Sequence, residues 1–263
     1  TNDKTGFMPQ GIGADLIATL NGFSREQLDA FATRSHQNAA AAWREQRFAD
    51  SVIPVKDMLG NTLLAQDENV RPECSEAGLS QLKPSFQTIG DLGFDVIAKD
   101  KYPTVETIQH HHHAGNSSGL ADGAALLLMG NESQVDRWQL QPKARIVASA
   151  VVGSEPTIML TGPGPAAKKA LAVAGLTAQD IDLWEVNEAF AVVPMIAMKE
   201  MGISHDNLNV NGGACALGHP IGASGARVIV TLLAAMEDKD LKKGVASLCI
   251  GGGEGIAMCL ERL

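Results

Sequence analysis

The second half of the chain alternates strand-like apolar runs with helix-like runs, and this alternation restricts the fold more than any other feature. From Pro142 onwards it predicts strands and helices in turn. The strands are expected at 145–153, 182–187, 207–211, 244–250 and 255–261, and the helices at 164–174, 188–201 and 223–237. Such alternation is typical of a layered α/β domain. The last two strands are joined by a glycine turn and are expected to form a hairpin.

A glycine-rich segment at 209–227 surrounds one histidine, His219, with five glycines. Glycine lets the backbone approach a ligand or another backbone closely. Pro220 biases His219 towards an extended conformation, just before a helix expected to start near Gly222 or Ala223. A helix start offers unpaired N–H groups and partial positive charge, so a histidine there suits acyl or proton transfer. The alternative is a buried turn histidine whose glycines only permit tight packing, and these residues alone leave both readings open.

Two other predicted strands also end in reactive or hydrogen-bonding side chains. Asn187 follows the apolar run 183–186, and Cys249 shortly precedes three consecutive glycines. Ligands of open α/β sheets bind beyond the carboxyl ends of the strands, so Asn187, His219 and Cys249 are expected to share one pocket. Taken singly, Asn187 also fits a helix cap and Cys249 a small buried apolar residue.

Three short blocks carry a family resemblance: Asn187-Glu188-Ala189-Phe190, Gly218-His219-Pro220 and Cys249-Ile250-Gly251-Gly252-Gly253. In this order they resemble the C-terminal signature blocks of the thiolases, the acyl-CoA acetyltransferases. The resemblance continues upstream through 114–119 and 24–27, so it covers nearly the whole chain. Thiolases carry their nucleophilic cysteine in an N-terminal half that precedes the point where this chain begins. The start of the sequence is therefore interpreted as a truncation or a processed end.

The resemblance implies an α/β fold with the layered α-β-α-β-α arrangement of thiolases, including a five-stranded mixed sheet. The C-terminal half is expected to be complete, and the N-terminal half to be represented mainly by its loop domain. The expected divisions are a loop, or lid, domain at 1–113, the last strand and helix of the N-terminal half at 114–141, and the C-terminal thiolase domain at 142–263.

The resemblance also implies catalytic roles for four residues. His219 would activate the cysteine nucleophile and donate a hydrogen bond to a thioester oxygen, and Asn187 would hold a water in the same oxyanion hole. Cys249 would shuttle a proton to or from the substrate α-carbon or the CoA sulfur, which requires a lowered thiol pKa. Gly251 would offer its backbone N–H as a second oxyanion donor.

Two more residues are implied in substrate binding. Ser118 matches the thiolase serine that contacts the pantetheine arm of CoA, and Phe190 either lines the acyl pocket or only fills core. The implied reaction is CoA-dependent cleavage of a 3-oxoacyl-CoA, or condensation of two acetyl-CoA units. CoA is the expected cosubstrate, and neither a metal nor a bound organic cofactor is expected.

The N-terminal half is less regular. Ser24 and Gln27 form a candidate capping box for a helix at 25–47. Other expectations are a short edge strand at 51–55, an irregular lid-like stretch at 56–88, a helical run at 104–109, a buried strand at 124–129 and a helix at 133–139. The four histidines at 110–113 are interpreted as a partly exposed loop end, because no acidic or cysteine residues are spaced to complete a metal site.

The net charge of −9 argues against general nucleic-acid binding, and no apolar run reaches membrane-spanning length. The four cysteines show neither metal spacing nor a secreted disulfide pattern, which favours a reducing, cytoplasmic compartment. Association as a homodimer or homotetramer is expected. The alternatives are a non-catalytic acyl-CoA-binding or assembly module and a 3-oxoacyl synthase relative, a class that usually has two active-site histidines. Without the N-terminal nucleophile, the chain by itself is predicted to be inactive.

Overall fold

The computed structural model describes residues 6–263. The helices are α1 (Gln10–Asn21), α2 (Arg25–Arg44), α3 (Glu76–Leu79), α4 (Gln87–Ile89), α5 (Asp95–Lys101), α6 (Glu132–Trp138), α7 (Pro163–Ala174), α8 (Val192–Met201), α9 (Ala214–Leu217) and α10 (Ser224–Asp238). The strands are β1 (Val55–Lys56), β2 (Thr62–Leu64), β3 (Ala144–Gly153), β4 (Leu183–Val186), β5 (Lys243–Ile250) and β6 (Glu254–Arg262). Two 3₁₀ turns, Ala178–Asp180 and His205–Asn207, precede β4 and follow α8.

The C-terminal half is built on a four-stranded sheet with the strand order β3-β6-β5-β4. Strands β3 and β5 run antiparallel to β6, whereas β4 runs parallel to β5. The predicted hairpin of β5 and β6 is confirmed. The predicted strand at 207–211 is wrong, because only Leu208 bridges to Trp184. The side chain of Asn209 takes over the next backbone pairing by bonding to both the N–H and the carbonyl of Val186, so the fifth strand is reduced to one residue.

Helices cover both faces of this sheet. One core cluster joins α7 and α8 to one face, where Trp184, Val245 and Cys259 are buried. A second cluster joins α10 to the opposite face, where Leu183, Ala246 and Leu260 are buried. Neighbouring residues of each strand therefore enter different clusters, as the alternating side-chain directions of a strand require. The result is the α-β-α sandwich expected of one thiolase half.

Helix α8 starts at Val192, later than the predicted position 188. The preceding residues bond to the loop that follows the histidines instead of entering the helix: Ser118 N–H donates to the Ala189 carbonyl at 3.0 Å, and Ala191 N–H donates to the Asn116 carbonyl at 2.9 Å. Pro194 consequently lies in the first turn of α8, where its missing N–H costs no helical hydrogen bond. The predicted restriction on Pro194 is confirmed.

Helix α2 opens with the predicted capping box. The Ser24 hydroxyl accepts from Gln27 N–H at 3.3 Å, and Ser24 N–H donates to Gln27 Oε1 at 2.9 Å. These two bonds give partners to the backbone N–H groups of Ser24 and Gln27, which have no acceptor within the helix. The start of this helix is therefore fixed by local sequence.

We expect Ser24→Ala to lower the free energy of unfolding by about 1 kcal/mol, the usual cost of losing an N-cap hydroxyl. Urea denaturation followed by circular dichroism measures it. Ser80→Ala is the matched control, because the exposed Ser80 hydroxyl caps no helix N-terminus: it donates to the Ala77 carbonyl at the end of α3 and accepts from the exposed Gln81 side chain. Equal stability of Ser24→Ala and the parent chain would contradict the capping assignment.

Three predictions for the N-terminal half are wrong. Residues 104–109 are not helical, since helix α5 ends at Lys101 and Pro103 prevents its continuation. The apolar run 124–129 forms no strand, and Leu126 and Leu128 are exposed. A strand requires a hydrogen-bonding neighbour, and no strand of residues 6–263 lies beside this run. The edge strand predicted at 51–55 is reduced to β1, which pairs with β2 in an exposed hairpin.

The four histidines are also placed differently from the prediction of a partly exposed loop end. His112 and His113 are buried, and aspartates from α1 and α2 pair with them. The paired residues lie 84 to 97 positions apart in sequence, so a local sequence pattern cannot predict these pairs. Among residues 6–263 no group of three or more histidine, cysteine or acidic side chains is arranged to hold a metal ion. In that same part of the chain, no helix is long and apolar enough to cross a membrane.

Candidate active site

Asn187 lies at the carboxyl ends of the parallel strands β4 and β5. Its backbone N–H donates to the Ser247 carbonyl at 3.0 Å, so it extends the strand pairing by one residue. The side chain is buried, and its Nδ2 lies 3.4 Å from His219 Nε2. The predicted approach of Asn187 to His219 is therefore present, although 32 residues separate them.

His219 is held in the tight turn between α9 and α10. Gly218 has a φ of 87°, and a Cβ there would lie 2.6 Å from Ala121 Cβ and 2.7 Å from Asn69 Nδ2. Only glycine meets both the conformational and the spatial requirement. His219 N–H then donates to the Gly119 carbonyl at 3.0 Å. This contact binds the glycine-rich segment to the loop that carries Ser118.

The imidazole of His219 is fixed from its other side by Ser224, at the start of α10. Nδ1 lies 2.6 Å from Ser224 Oγ, and Ser224 Oγ lies 3.0 Å from the Pro220 carbonyl. A hydroxyl has one proton to donate. When Ser224 donates it to Pro220, its oxygen accepts from Nδ1–H and His219 Nε2 is left with a free lone pair. Burial, and then the charge of Arg227, lower the pKa of His219, which favours the neutral ring.

A cavity of about 340 Å³ opens beside this histidine. Its lining consists of Leu120, Ala121, Asp122, His219 and Ile221. The loop after Ser118 and the turn after His219 thus form its two sides. His219 is thus one of the side chains that border this space.

Ser118 and Phe190 belong to the two segments that pair beside this cavity. Ser118 is half-buried, and its backbone is tied to Ala189. Phe190 is buried and packs edge-on against Phe86 and His112, with ring centroids 5.9 Å and 5.5 Å away. The core-filling alternative for Phe190 therefore has direct contacts in its support. A substrate-binding role for either residue stays a prediction.

Cys249 lies near the end of β5, opposite Gly255 of β6. It is half-buried against the cluster that contains α7 and α8. Within residues 6–263 no hydrogen bond joins its sulfur to His219 or Asn187. Burial raises the pKa of Cys249 to about 11. The lowered thiol pKa that a proton shuttle needs is therefore not present, and at neutral pH Cys249 is a protonated thiol that can donate but not accept.

Gly251 begins the turn between β5 and β6. The next two glycines have φ values of 89° and 86°, which only glycine adopts readily. Gly251 itself is exposed, and no heavy atom lies within 4 Å of where its Cβ would be. Its backbone N–H is thus sterically accessible, which is the requirement for the predicted oxyanion donor.

Comparison with known proteins adds to this geometry. The family model for the thiolase N-terminal domain matches residues 2–93, and that for the thiolase C-terminal domain matches residues 140–262. The chain belongs to the thiolase family. A 3-ketoacyl-CoA thiolase of Cronobacter sakazakii is 44% identical over 259 residues, covering 96% of this chain and 62% of the relative. An acetyl-CoA acetyltransferase of Thiocystis violacea is 46% identical over 256 residues, covering 96% and 60%.

Solved thiolase structures share the fold. The acetyl-CoA acetyltransferase of Bacillus anthracis matches with a TM-score of 0.84 at 36% identity, covering 96% of this chain and 60% of the other. A human mitochondrial 3-ketoacyl-CoA thiolase in complex with CoA matches with a TM-score of 0.82 at 35% identity, covering 97% and 59%. The prediction of a thiolase-like α/β fold is confirmed. This thiolase chain spans about 60% of the length of the curated relatives it matches.

Glu188 has a larger structural part in this thiolase chain than its place at a helix start suggested. Its buried carboxylate accepts from Ser35 Oγ at 2.7 Å, Asn209 Nδ2 at 2.7 Å and Cys215 N–H at 3.0 Å. Burial raises its pKa. The contacts join α2, the segment after β4 and the glycine-rich segment, so Glu188 fixes the frame in which Asn187 and His219 meet.

Sequence reasoning missed Ser224, Arg227 and Glu185. Arg227 donates to Asn187 Oδ1 at 3.1 Å, and its Nη1 lies 3.9 Å from the buried Glu185 carboxylate. A serine and an arginine one turn apart at the start of α10 were the available signal. Residues three positions apart lie on the same face of a helix, so Ser224 and Arg227 are expected on one side of α10, close to the histidine that precedes the helix.

Proposed function

We propose that this chain is the greater part of a thiolase acyltransferase that uses CoA as cosubstrate. The observation that carries the proposal is the 3.4 Å approach of Asn187 Nδ2 to His219 Nε2 at the carboxyl end of the sheet, beside a cavity of about 340 Å³. The reaction is cleavage of a 3-oxoacyl-CoA by CoA, or its reverse. The names of the relatives, 3-ketoacyl-CoA thiolase and acetyl-CoA acetyltransferase, support the same class.

In the cleavage direction, a cysteine thiolate adds to C3 of the 3-oxoacyl-CoA and the C2–C3 bond breaks. The acyl group stays on the cysteine as a thioester, and the electron pair passes to the enolate of acetyl-CoA. Cys249, protonated at neutral pH, donates a proton to C2. The Cys249 thiolate left by that step takes the proton of the CoA thiol. The CoA thiolate then attacks the thioester and displaces the cysteine thiolate, which gives the shortened acyl-CoA and returns Cys249 to its protonated form. His219 Nε2 accepts the proton of the cysteine nucleophile and, once protonated, donates a hydrogen bond to a thioester oxygen. Asn187 holds a water in the same oxyanion hole, and the Gly251 N–H donates in the second one.

The nucleophilic cysteine of this proposal lies outside these 263 residues. Cys215 and Cys259 are buried, and burial raises the pKa of both thiols. Burial likewise raises the pKa of Cys74, which lies in a cluster with Leu79 and Cys215. The chain by itself is therefore proposed to bind acyl-CoA without turning it over.

The other parts of the proposal follow from the same family. Residues 1–113 serve as the loop domain that covers the bound CoA, with Ser118 at the pantetheine arm and Phe190 at the acyl end. Assembly as a homodimer or homotetramer, in the cytoplasm, stays a prediction. A 3-oxoacyl synthase relative is disfavoured because Cys249, not a second histidine, occupies the end of β5.

The test compares this chain with a longer natural polypeptide that contains it. We expect the longer protein to consume acetoacetyl-CoA only when free CoA is added, and this chain alone to show no steady-state cleavage. Isothermal calorimetry with CoA measures binding by this chain. Steady-state cleavage by the chain alone would refute the external nucleophile, and failure of the longer protein to cleave any 3-oxoacyl-CoA would refute the thiolase assignment.

A further inference from the structure

Arg227 is a half-buried cation that contacts Asn187 but does not line the cavity. Its side chain is 17% exposed, on the second turn of α10, and the contact to Asn187 spans 40 positions of sequence. Its Nη2 donates to Asn187 Oδ1 at 3.1 Å. An arginine has donors only and no acceptor. The amide oxygen of Asn187 must therefore be the atom that faces Arg227.

That contact decides which way the Asn187 amide points. With Oδ1 held by Arg227, the amino group Nδ2 is the end that approaches His219 Nε2, at 3.4 Å. An amino group donates, so the Nε2 beside it must accept. The other ring nitrogen then carries the proton, in agreement with Nδ1 lying 2.6 Å from Ser224 Oγ. Contacts on both sides of the ring thus favour the same tautomer.

The acidic groups around Arg227 do not cancel its positive charge. Glu185 is the nearest acidic group, at 3.9 Å, and burial raises its pKa to about 8, against the opposing effect of Arg227. Burial also raises the pKa of Glu188 and of Asp67, the other acidic groups on which the charge of Arg227 acts. Because the pKa of Glu185 is about 8, this nearest carboxyl is mostly protonated at neutral pH and does not neutralise the guanidinium. The positive charge of Arg227 then disfavours protonation of His219.

We propose that Arg227 is a positioning residue that fixes the Asn187 amide and, through it, selects the Nδ1–H tautomer of His219, whose free Nε2 can take a proton. The catalytic meaning of this tautomer rests on the proposed function. The orientation of the amide and the tautomer of the ring do not. They can be measured in this chain whether or not it turns over substrate.

The experiment records long-range ¹H–¹⁵N spectra of the histidine rings in the ¹⁵N-labelled chain. In the parent we expect a protonated Nδ1 and an unprotonated Nε2 for His219, assigned by comparison with His219→Gln. In Arg227→Met we expect a shift towards the Nε2–H form together with a rise in the pKa of His219. Asn187→Ala should give the same tautomer change, and Arg227→Met in the Asn187→Ala background should add no further change of tautomer.

Two further variants are measured. Arg34→Met is the control: it removes a surface cation that pairs with exposed Asp206 at 2.7 Å, and it should leave the His219 signals unchanged. Arg227→Lys keeps the positive charge and replaces Arg227→Met if that variant does not fold. In Arg227→Lys the pKa of His219 should stay near the parent value, while the tautomer ratio should shift towards the Nε2–H form. A folded Arg227→Met or Arg227→Lys with the parental tautomer ratio would overturn the proposal.

In the longer, active protein the same variant has a separate kinetic signature. Arg227→Met should lower kcat by about 10-fold to 100-fold, which reaches only the lower end of the roughly 10²-fold to 10⁴-fold contribution of general-base catalysis, with little change in the KM for CoA. The acidic limb of the pH–rate profile should move to higher pH, because His219 must lose a proton to act. An unchanged acidic limb would count against a role of Arg227 in turnover. Absence of all activity in the parent would refute the proposed function and leave the spectroscopic result intact.

Discussion

We expect alanine in place of His219 to lower kcat/KM for the proposed CoA-dependent cleavage of acetoacetyl-CoA by about 10⁴-fold in the longer protein. The variant loses the base that takes the nucleophile's proton and also one oxyanion donor, and each effect alone is worth about 10²-fold to 10³-fold or more. Steady-state thiolysis at saturating CoA measures the change. Folding should be retained, since the ring is half-buried and its removal opens onto an existing cavity.

His205→Ala is the matched control for this prediction. His205 stacks on Phe31, with ring centroids 4.5 Å apart, on a 3₁₀ turn outside the cavity. Its loss should affect stability but not kcat/KM by more than a few-fold. Near-parental turnover in a folded His219→Ala protein would remove His219 from the mechanism and end the thiolase proposal for this site.

Asp15→Ala is expected to be the most destabilising single exchange among the charged residues described above. The buried Asp15 carboxylate of α1 receives two backbone N–H groups, from His111 at 3.0 Å and His112 at 2.9 Å. It also pairs with His112 Nδ1 at 2.7 Å and His110 Nδ1 at 2.8 Å. Removal leaves four donors, two of them buried and two partly buried, without this acceptor. We expect a loss of about 3–5 kcal/mol, measured by urea denaturation.

The pH dependence of stability gives a second readout for this cluster. Burial raises the pKa of Asp15, but hydrogen bonds from His110 and His112 outweigh it and hold the pKa at about 2. The stability from Asp15 is thus present above its unfolded value of 3.8 and lost as the pH falls towards 2. The hydrogen bond to Asp15 raises the pKa of His110. That contribution is present below pH 6.5 and lost as the pH rises through the folded pKa.

Asp15→Ala should therefore flatten the stability profile at both its acidic and its near-neutral limb. Glu237→Ala is the control, because Glu237 forms an exposed pair with Lys143 at 2.5 Å and exposed pairs contribute about 0–1 kcal/mol. If Asp15→Ala cost no more than Glu237→Ala, the carboxylate–histidine cluster would have no structural role. If the pH profile kept its shape, the ionised Asp15 assigned here would be wrong.

Local signals in the sequence were enough for most elements of the C-terminal half. Gly175 and Gly202 end α7 and α8 with φ values of 68°, which glycine adopts without strain. The capping box at Ser24 and the hairpin at the three glycines are equally local. Each of these features depends on residues within a few positions of one another. A sequence pattern can therefore report them directly.

The same sequence could not decide what its apolar and charged residues would meet. The run 124–129 has the pattern of a buried strand but no strand beside it among the described residues. The histidines at 110–113 were predicted to be a partly exposed loop end, but in the structure they pair with aspartates of α1 and α2 that lie more than 80 residues away in sequence. The family blocks pointed to Asn187, His219, Cys249 and Gly251, but not to the thiol pKa, which depends on the surrounding burial.

By itself, the sequence determined the α/β alternation, the glycine turns and the order of the family blocks, because backbone preferences and side-chain periodicity act over short distances. Only the tertiary structure decided that Arg227 holds Asn187 across 40 positions and that Ser224 and Asn187 flank His219. Those contacts arise where separate elements pack together. Their geometry follows from the whole core, and no short stretch of residues encodes it.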